Sequence, residues 1–379
     1  KMSKMIGEEF PWIKIVVGGI HPTIFANEIL RNCSSIDYIV LGEGEKSILS
    51  LVEFLEGKIE KFPSNGFAFR LSNKICIYPQ TQYIEDLDSV PFPAYELTVF
   101  DNYKGDLSKW HNPKNLKFDM TVPIITSRSC PYGCNFCSMF LVMGKKFRYR
   151  SAINVVNEIE LLYSKYGINH FNIMDDNFTF NKQRVLDICK EISKRNLNIQ
   201  FETLNGVMLH KLDEEIIDEM VSAGWIRGAL SIESGSDYIR NEVMGKLLPR
   251  EKIYEIVNIT KKYPALYLKG CFIMGMPEDT YDTMMDTYNL INEIDLPEIL
   301  VANIVPFPGT EVFNQCLKDN LFLNVDLDNL WKDSSLYCHP NNKRFFIKPY
   351  NTDLKTLEYF RQKFDDLSES LKKMGNETL

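Results

Sequence analysis

Three cysteines lie close together in the sequence with the spacing Cys130-x3-Cys134-x2-Cys137. They follow an apolar run at residues 122–126, which predicts a buried strand. The proline and glycine between them disfavour a helix, so we expect a loop that turns its sulfurs inward. Thiolates this close repel one another unless a soft metal or an iron–sulfur cluster lies between them. Three ligands would leave one iron of a four-iron cluster open to chemistry.

A structural zinc site is the main alternative interpretation of these cysteines, and an oxidised loop is another. Structural zinc nearly always has four protein ligands. After Cys137, no Cys or His follows until His170. The spacing therefore favours the cluster without removing the alternatives.

Composition sets the broad class of the protein. A chain of 379 residues, with 45% hydrophobic and 25% charged residues, is long enough for two domains and a large core. Its net charge of −8 argues against a broad nucleic-acid-binding face. Nine cysteines at irregular spacing do not indicate a disulfide framework, so we expect reduced thiols and a cytoplasmic location. We recognise neither a membrane span nor a signal peptide.

Strands and helices alternate through the central part of the chain. The predicted strands lie at 122–126, 169–174, 199–204, 226–232, 267–273 and 299–305. The predicted helices lie at 151–166, 181–195, 213–223, 250–262, 279–294 and 310–318. This order predicts the α/β class and a partial (βα)6 TIM-like barrel, whose active site would lie at the carboxyl ends of the strands.

The N-terminal residues predict a smaller α/β unit of the Rossmann-like type. Strands are expected at 13–17 and 37–41, each followed by a helix, and a hairpin at 66–78. Two parallel strands cannot form a sheet alone, so we expect that half of this domain lies upstream. The expected domains are 1–60, a hairpin and linker at 61–120, the barrel at 121–318, and an extension at 319–379 with a helix at 353–373.

Polar or glycine-rich residues follow most of the later barrel strands. Asp175 and Asp176 end the second strand, and two adjacent carboxylates cannot both be buried and ionised without partners. Ser231 and Glu233 end the fourth strand, so Glu233 is expected to point into the barrel mouth. Gly275 follows the fifth strand, where it would allow a ligand to approach the backbone. Solvated turn residues, or a helix-capping loop, are the alternative interpretation of these segments.

Together these motifs resemble the radical S-adenosylmethionine (SAM) enzymes. The resemblance implies that Cys130, Cys134 and Cys137 hold a [4Fe–4S] cluster whose open iron chelates SAM, and that reductive cleavage of SAM yields a 5′-deoxyadenosyl radical. Phe136 matches the aromatic residue that packs near the adenine. The family also implies a small-molecule substrate and an electron donor such as flavodoxin or ferredoxin.

Further SAM contacts follow from the resemblance. Residues 232–236, Ile-Glu-Ser-Gly-Ser, are similar to a segment at the ribose and methionine end of SAM. Residues 271–279 resemble the motif G-x-I-x-G-x-P-x-E, but Cys271 replaces its first glycine and Asp279 its glutamate. The SAM-binding residues implied in this way are Phe136, Asp175, Asp176, Ser231, Glu233, Gly275 and Pro277. No catalytic residue is identified.

Two N-terminal glycine segments resemble the second half of the cobalamin-binding domain that precedes many radical SAM barrels. The residues implied are Gly18, Gly19, Gly42, Glu43 and Gly44. The D-x-H-x-x-G segment of the first half is not found, so His21 is not the family's cobalt ligand. We therefore expect this chain alone to bind cobalamin poorly.

The leading hypothesis is a cobalamin-dependent radical SAM enzyme that catalyses methyl transfer, rearrangement or cyclisation. A tRNA methylthiotransferase is one alternative, but that family needs three further N-terminal cysteines, and only Cys33 and Cys76 precede Cys130. A non-enzymatic, cysteine-rich, metal-stabilised protein is the other.

Overall fold

The N-terminal part of the chain forms a four-stranded sheet. The structure, a computed structural model, describes residues 1–72, 74–105, 120–337 and 343–377. The strands are β1 (Val16–Gly18), β2 (Tyr38–Val40), β3 (Phe67–Leu71) and β4 (Lys74–Tyr78), in that order. β1 and β2 are parallel, and the hairpin β3–β4 adds two antiparallel strands beside β2. The helices of this part are α1 (Met2–Glu9), α2 (Ile20–Ile24), α3 (Ala26–Asn32) and α4 (Glu45–Leu55).

This sheet confirms the predicted parallel pair and hairpin strands and corrects two details. The hairpin, expected to belong to a linker, completes the sheet through its pairing with β2. The single helix expected after the first strand is two helices, because the backbone leaves the helical conformation at Phe25. Asn73, in the predicted hairpin turn, lies outside the described residues.

A second sheet of six parallel strands carries the predicted barrel. Its strands are β5 (Val122–Ile124), β8 (His170–Ile173), β9 (Gln200–Val207), β10 (Trp225–Glu233), β11 (Tyr267–Met274) and β12 (Glu298–Asn303), adjacent in that order. A small antiparallel pair, β6 (Ser127–Arg128) and β7 (Arg148–Tyr149), follows β5 and flanks helix α5 (Phe140–Met143). Every predicted strand and helix of the barrel is present within a few residues of its expected bounds.

The barrel helices cover the outer face of this sheet. They are α6 (Ala152–Tyr166), α7 (Lys182–Lys194), α8 (Glu214–Ser222), α9 (Arg250–Thr260), α10 (Tyr281–Ile294) and α11 (Glu311–Lys318). On α6, Val155, Val156, Ile159 and Leu162 are buried in the main core, as their helical spacing predicts. Of the helices described, none is long and apolar enough to cross a membrane.

The last helix belongs to the barrel core. Helix α12 (Leu354–Glu377) was predicted, but not its packing against β12. Leu357, Phe360 and Phe364 of this helix are fully buried in the main core. The guanidinium group of Arg361 donates to the carbonyl oxygen of Val301 at 2.5 Å. Because β12 is an edge strand with one row of backbone groups unpaired in the sheet, α12 covers that edge and donates hydrogen bonds to its carbonyls.

A buried carboxylate connects the N-terminal sheet to the barrel. In the pair β6–β7, Arg128 and Arg148 lie directly opposite each other, an arrangement that is unfavourable for two like charges. Glu43, which follows β2, accepts hydrogen bonds from both guanidinium groups, at 3.0 Å from Arg128. Its other oxygen accepts the backbone N–H of Ile84 at 2.8 Å. Glu45 is a second carboxylate partner of Arg128. Glu43 and Arg148 are each only 3% exposed, so Glu43 is the buried counter-ion at the centre of this cluster.

We expect Glu43→Gln to lower the free energy of unfolding by about 3–5 kcal/mol, since it leaves the buried guanidinium group of Arg148 without its carboxylate partner, whereas Arg128 keeps its ion pair with Glu45. Denaturant unfolding measures this loss. The matched control is Glu96→Gln at an exposed position, where the change should stay within about 0.5 kcal/mol. A loss at Glu43 no larger than at Glu96 would contradict the role of this ion cluster.

Candidate functional site

The three cysteines of the motif lie on a loop that its neighbours hold from several sides. Ser129 has a left-handed backbone conformation, with φ of 72°, which turns the chain out of β6. Its hydroxyl donates to the carbonyl of Gly144 at 2.6 Å, and its N–H donates to Asp176 at 3.1 Å. Further along, the side-chain amide of Asn135 donates to the carbonyl of Val243 at 2.6 Å. The loop is therefore fixed at both ends.

Cys130, Cys134 and Cys137 line one cavity of about 300 Å³. The other lining residues are Tyr132, Phe136, Met139, Asp176, Asn205, Gly206, Val207, Met208, Ser231, Glu233 and Lys246. Burial raises the pKa of Cys134 to about 11 and also raises the pKa of Cys137. Because the ionised forms are disfavoured in this cavity, a bound cation is needed to hold these thiols as thiolates.

The donor set fits an iron–sulfur cluster better than a single metal ion. Among the residues the structure describes, no three His, Cys, Asp or Glu side chains converge closely enough to hold one ion. In a four-iron cluster each thiolate binds a different iron, so its ligands need not converge on one point. Three soft sulfur donors on one cavity wall fit this requirement.

The two adjacent aspartates have different environments. The carboxylate of Asp175 accepts hydrogen bonds from the backbone and hydroxyl of Thr126, at 2.6 and 2.5 Å, and from the hydroxyl of Ser127 at 2.6 Å. It also pairs with the buried Arg184 at 3.5 Å. Asp175 does not line the cavity, so this geometry gives it the role of anchoring the segment before the cysteine loop. Asp176 does line the cavity, and burial raises its pKa to about 6.

Glu233 and Lys246 form a buried ion pair in the cavity wall. Glu233, the last residue of β10, has a left-handed backbone with φ of 72°, a strained conformation typical of functional sites. Its carboxylate accepts from the ammonium group of Lys246 at 2.7 Å. Lys246 is 5% exposed. Burial alone would lower the pKa of Lys246, but the charges of Glu233 and Cys134 raise it above the ordinary value.

Two other predicted SAM contacts, Phe136 and Ser231, line the same cavity. Opposite Ser231, Gly206 of β9 has φ of 106°, and a Cβ atom there would lie 2.3 Å from the Ser231 hydroxyl. A glycine is therefore required beside Ser231.

The predicted contacts Gly275 and Pro277 lie outside the residues that line the cavity. Gly275, with φ of 84°, begins a turn whose backbone N–H groups at Gly275 and Met276 donate to Asp279 at 2.8 and 2.9 Å. The carbonyl of Pro277 accepts from the N–H of Tyr350 at 2.8 Å. Asp279 thus closes the turn despite replacing the glutamate of the family motif, and burial raises its pKa to about 6.

The two N-terminal glycine segments differ in the space they leave. Gly19 is exposed and has φ of 100°, and a Cβ atom there would meet nothing within 4 Å, so this turn is open at Gly19, whereas a Cβ on Gly18 would lie 3.4 Å from the carbonyl oxygen of Val40. A Cβ on Gly42 would overlap the side chain of Gln80 at 1.9 Å. Because Glu43 is held by two arginines, the loop from Gly42 to Gly44 serves packing in this structure. The backbone is therefore more crowded at Gly42 than at Gly19.

Sequence reasoning missed two polar contacts at the site. Lys246 follows a glycine in a loop, a pattern with no specific signal. His210 hydrogen-bonds the hydroxyl of Tyr132, inside the cysteine motif, and its pKa is lowered by burial and by nearby lysines. Neither partner could be inferred from spacing, because each pairing depends on the tertiary fold.

The sequence model of the radical SAM superfamily matches residues 124–291. An uncharacterized methyltransferase of Pyrococcus horikoshii is 30% identical over 326 residues, which cover 86% of this chain and 67% of that protein. The chain belongs to the radical SAM superfamily. The predicted enzyme class is thereby confirmed, together with its [4Fe–4S] cluster and SAM as cofactors.

Two further relatives of this radical SAM chain have named reactions. Cytidylyl-2-hydroxyethylphosphonate methyltransferase of Streptomyces wedmorensis is 26% identical over 80% of this chain and 60% of that protein. Anaerobic magnesium-protoporphyrin IX monomethyl ester cyclase of Rubrivivax gelatinosus is 26% identical over 80% of this chain and 53% of that protein. The chain thus spans between about half and two thirds of the length of these relatives.

Solved structures share the fold. The radical SAM methyltransferase TsrM of Kitasatospora setae, with cobalamin and a [4Fe–4S] cluster bound, superposes with a TM-score of 0.71 at 15% identity, covering 98% of this chain and 74% of that chain. The cobalamin-dependent radical SAM enzyme OxsB has a TM-score of 0.61 at 18% identity, covering 94% of this chain and 48% of that chain. The predicted barrel of radical SAM type, with the preceding α/β unit, is confirmed.

Proposed function

We propose that this chain is a cobalamin-dependent radical SAM methyltransferase that acts on a small molecule. The observation that carries the proposal is the cavity shared by Cys130, Cys134, Cys137 and the Glu233–Lys246 pair. It places three soft metal ligands beside one anion and one cation that are both buried. This is the donor set needed to hold a cluster and the charged end of an amino acid side by side.

The three thiolates would bind three irons of the cluster and leave the fourth for SAM. When bound, the cluster supplies the electron for reductive cleavage of SAM. The chain's own contribution is to present the three sulfurs in one cavity and to fix the loop through Ser129 and Asn135.

Glu233 and Lys246 would bind the methionine end of SAM. An α-amino acid carries one ammonium and one carboxylate, and the pair offers the complementary charge to each. Ser231, Asp176 and Phe136 would complete the site with polar and aromatic contacts. Because Gly275 and Pro277 lie outside the cavity lining, we assign them to the turn that supports β11.

Methyl transfer is favoured among the family's reactions because the relatives from P. horikoshii and S. wedmorensis are named methyltransferases. Ring closure is the second candidate, since the R. gelatinosus relative is a cyclase of comparable identity. The open turn of Gly18 and Gly19 supports cobalamin as the methyl carrier. We further propose flavodoxin or ferredoxin as the electron donor and a cytoplasmic location, in line with the free thiols of the described cysteines.

Removal of one cysteine tests the cluster. We expect Cys134→Ala, after anaerobic reconstitution, to lose the four-iron cluster and the formation of 5′-deoxyadenosine, because the two remaining thiols cannot hold it. Iron and sulfide analysis and product chromatography measure both. The control is Cys189→Ala, a buried cysteine of α7 outside the cavity, which should keep a full cluster. A full cluster with SAM cleavage in Cys134→Ala would refute the assignment.

Removal of one charge tests the SAM site. We expect Glu233→Gln to keep the cluster but to weaken SAM binding ten- to a hundredfold, since a hydrogen bond to a charged group contributes about 1.5–3 kcal/mol. Anaerobic calorimetry measures the affinity. Glu251→Gln, on the exposed side of α9, is the matched control and should bind SAM like the unmodified chain. If Glu233→Gln binds SAM with the same affinity as the unmodified chain, the Glu233–Lys246 pair has a structural role only.

Titration with hydroxocobalamin tests the third cofactor. We expect weak but saturable binding, seen as a change in the visible spectrum, because the backbone at Gly19 leaves space for a ligand while that at Gly42 is filled by Gln80. Gly19→Val should abolish the change by filling this space. Gly57→Val is the control, since Gly57 also has positive φ and open surroundings but lies beyond α4. Binding that survives Gly19→Val would place cobalamin elsewhere.

A further inference from the structure

Among the described residues, the buried side-chain amide of Asn177 has two hydrogen-bond partners, and both are sulfur atoms. It follows Asp175 and Asp176 after strand β8 and is 0% exposed. Its side-chain N–H group donates to Sδ of Met208 at 2.9 Å and to Sγ of Cys130 at 3.5 Å. Met208 and Cys130 both line the cavity of the proposed cluster. The N–H group of this amide therefore contacts a proposed cluster ligand, Cys130.

The orientation of this amide follows from its partners. Both sulfur atoms are acceptors, so they attract the N–H end and would repel the carbonyl oxygen. That oxygen, Oδ1 of Asn177, is buried and has no hydrogen-bond partner among the described residues. A buried amide with one end unsatisfied is costly in free energy, and a well-packed apolar side chain would avoid that cost. An asparagine here is explained by a function of its N–H group.

We propose that Asn177 raises the reduction potential of the cluster by donating a hydrogen bond to the Cys130 thiolate. This inference rests on the proposed function, in which Cys130 is a cluster ligand. One electron passes from a low-potential one-electron donor to the cluster, and no bond is formed or broken in that step. The added electron increases the negative charge on the ligand sulfurs. An N–H donor therefore stabilises the reduced form more than the oxidised form.

The other polar residues of this segment have separate roles. Asp175 anchors Thr126 and Ser127, and Asp176 accepts the N–H of Ser129. Within the described part of the chain, the side-chain amide of Asn177 donates to no backbone group, so its contribution is distinct from holding the loop. It is a positioning and tuning residue, and it touches the proposed ligand rather than the substrate.

The test is a redox titration of the reconstituted full chain without SAM, followed by electron paramagnetic resonance of the reduced cluster. Asn177→Leu retains the size of the side chain and removes the donor. We expect the equilibrium constant for reduction of its cluster to fall about tenfold. For one electron this is a shift of the reduction potential by about 59 mV to a more negative value. Asn181→Ala is the control, since the side chain of Asn181 caps α7 by accepting the N–H of Arg184, so it should titrate like the unmodified chain.

A second variant separates tuning from packing. Met208→Leu removes the other sulfur acceptor and leaves the bond to Cys130, so the potential should be unchanged or more positive. If Asn177→Leu holds a full cluster with an unchanged reduction potential, the inference is overturned. If Asn177→Leu does not assemble a cluster, a more negative reduction potential in Met208→Leu would overturn it. The proposed function would survive either result, because neither one bears on cluster binding by the three cysteines, which Cys134→Ala tests separately.

Discussion

Three thiols in one partly dehydrated cavity are the constraint on which the rest of this structure depends. Burial raises the pKa of Cys134 and Cys137, so in the absence of a cation the loop would hold neutral thiols with no evident purpose. A cluster makes the thiolates stable and is in turn held only if the loop is rigid. The surrounding hydrogen bonds meet this need, since they fix the loop at Ser129 and at Asn135.

Rigidity at the cysteine loop is supplied by charged groups more distant in the chain. Asp175 holds the segment between β5 and β6, and Glu43 together with Glu45 neutralises the two arginines of the pair β6–β7. The residue before Ser129 is one of these arginines, Arg128. The N-terminal sheet therefore contacts the barrel directly beside the proposed metal ligands. A cofactor held by the open turn of Gly18 and Gly19 would belong to a unit that is fixed to the loop through this ion cluster.

The sequence was sufficient to predict features that are local or periodic. The strands of the barrel are short apolar runs, and the cysteine motif lies within one loop, so both could be recognised without knowing the fold. The roles of single charged residues could not be predicted in the same way. Glu43 lies between glycines and resembles part of a cofactor loop, yet its partners lie 85 and 105 residues away. Asp175 and Asp176 cannot be distinguished from the sequence. Only the fold shows that Asp175 anchors the segment before the cysteine loop and that Asp176 lines the cavity.

The most direct test of the central claim is Mössbauer spectroscopy of the chain reconstituted with iron-57, measured with and without SAM. The account predicts one [4Fe–4S] cluster per chain in which a single iron site changes its spectrum when SAM binds, because three irons keep their cysteine ligands. A cluster whose four irons all remain unchanged on addition of SAM, or a chain that takes up no iron, would contradict it.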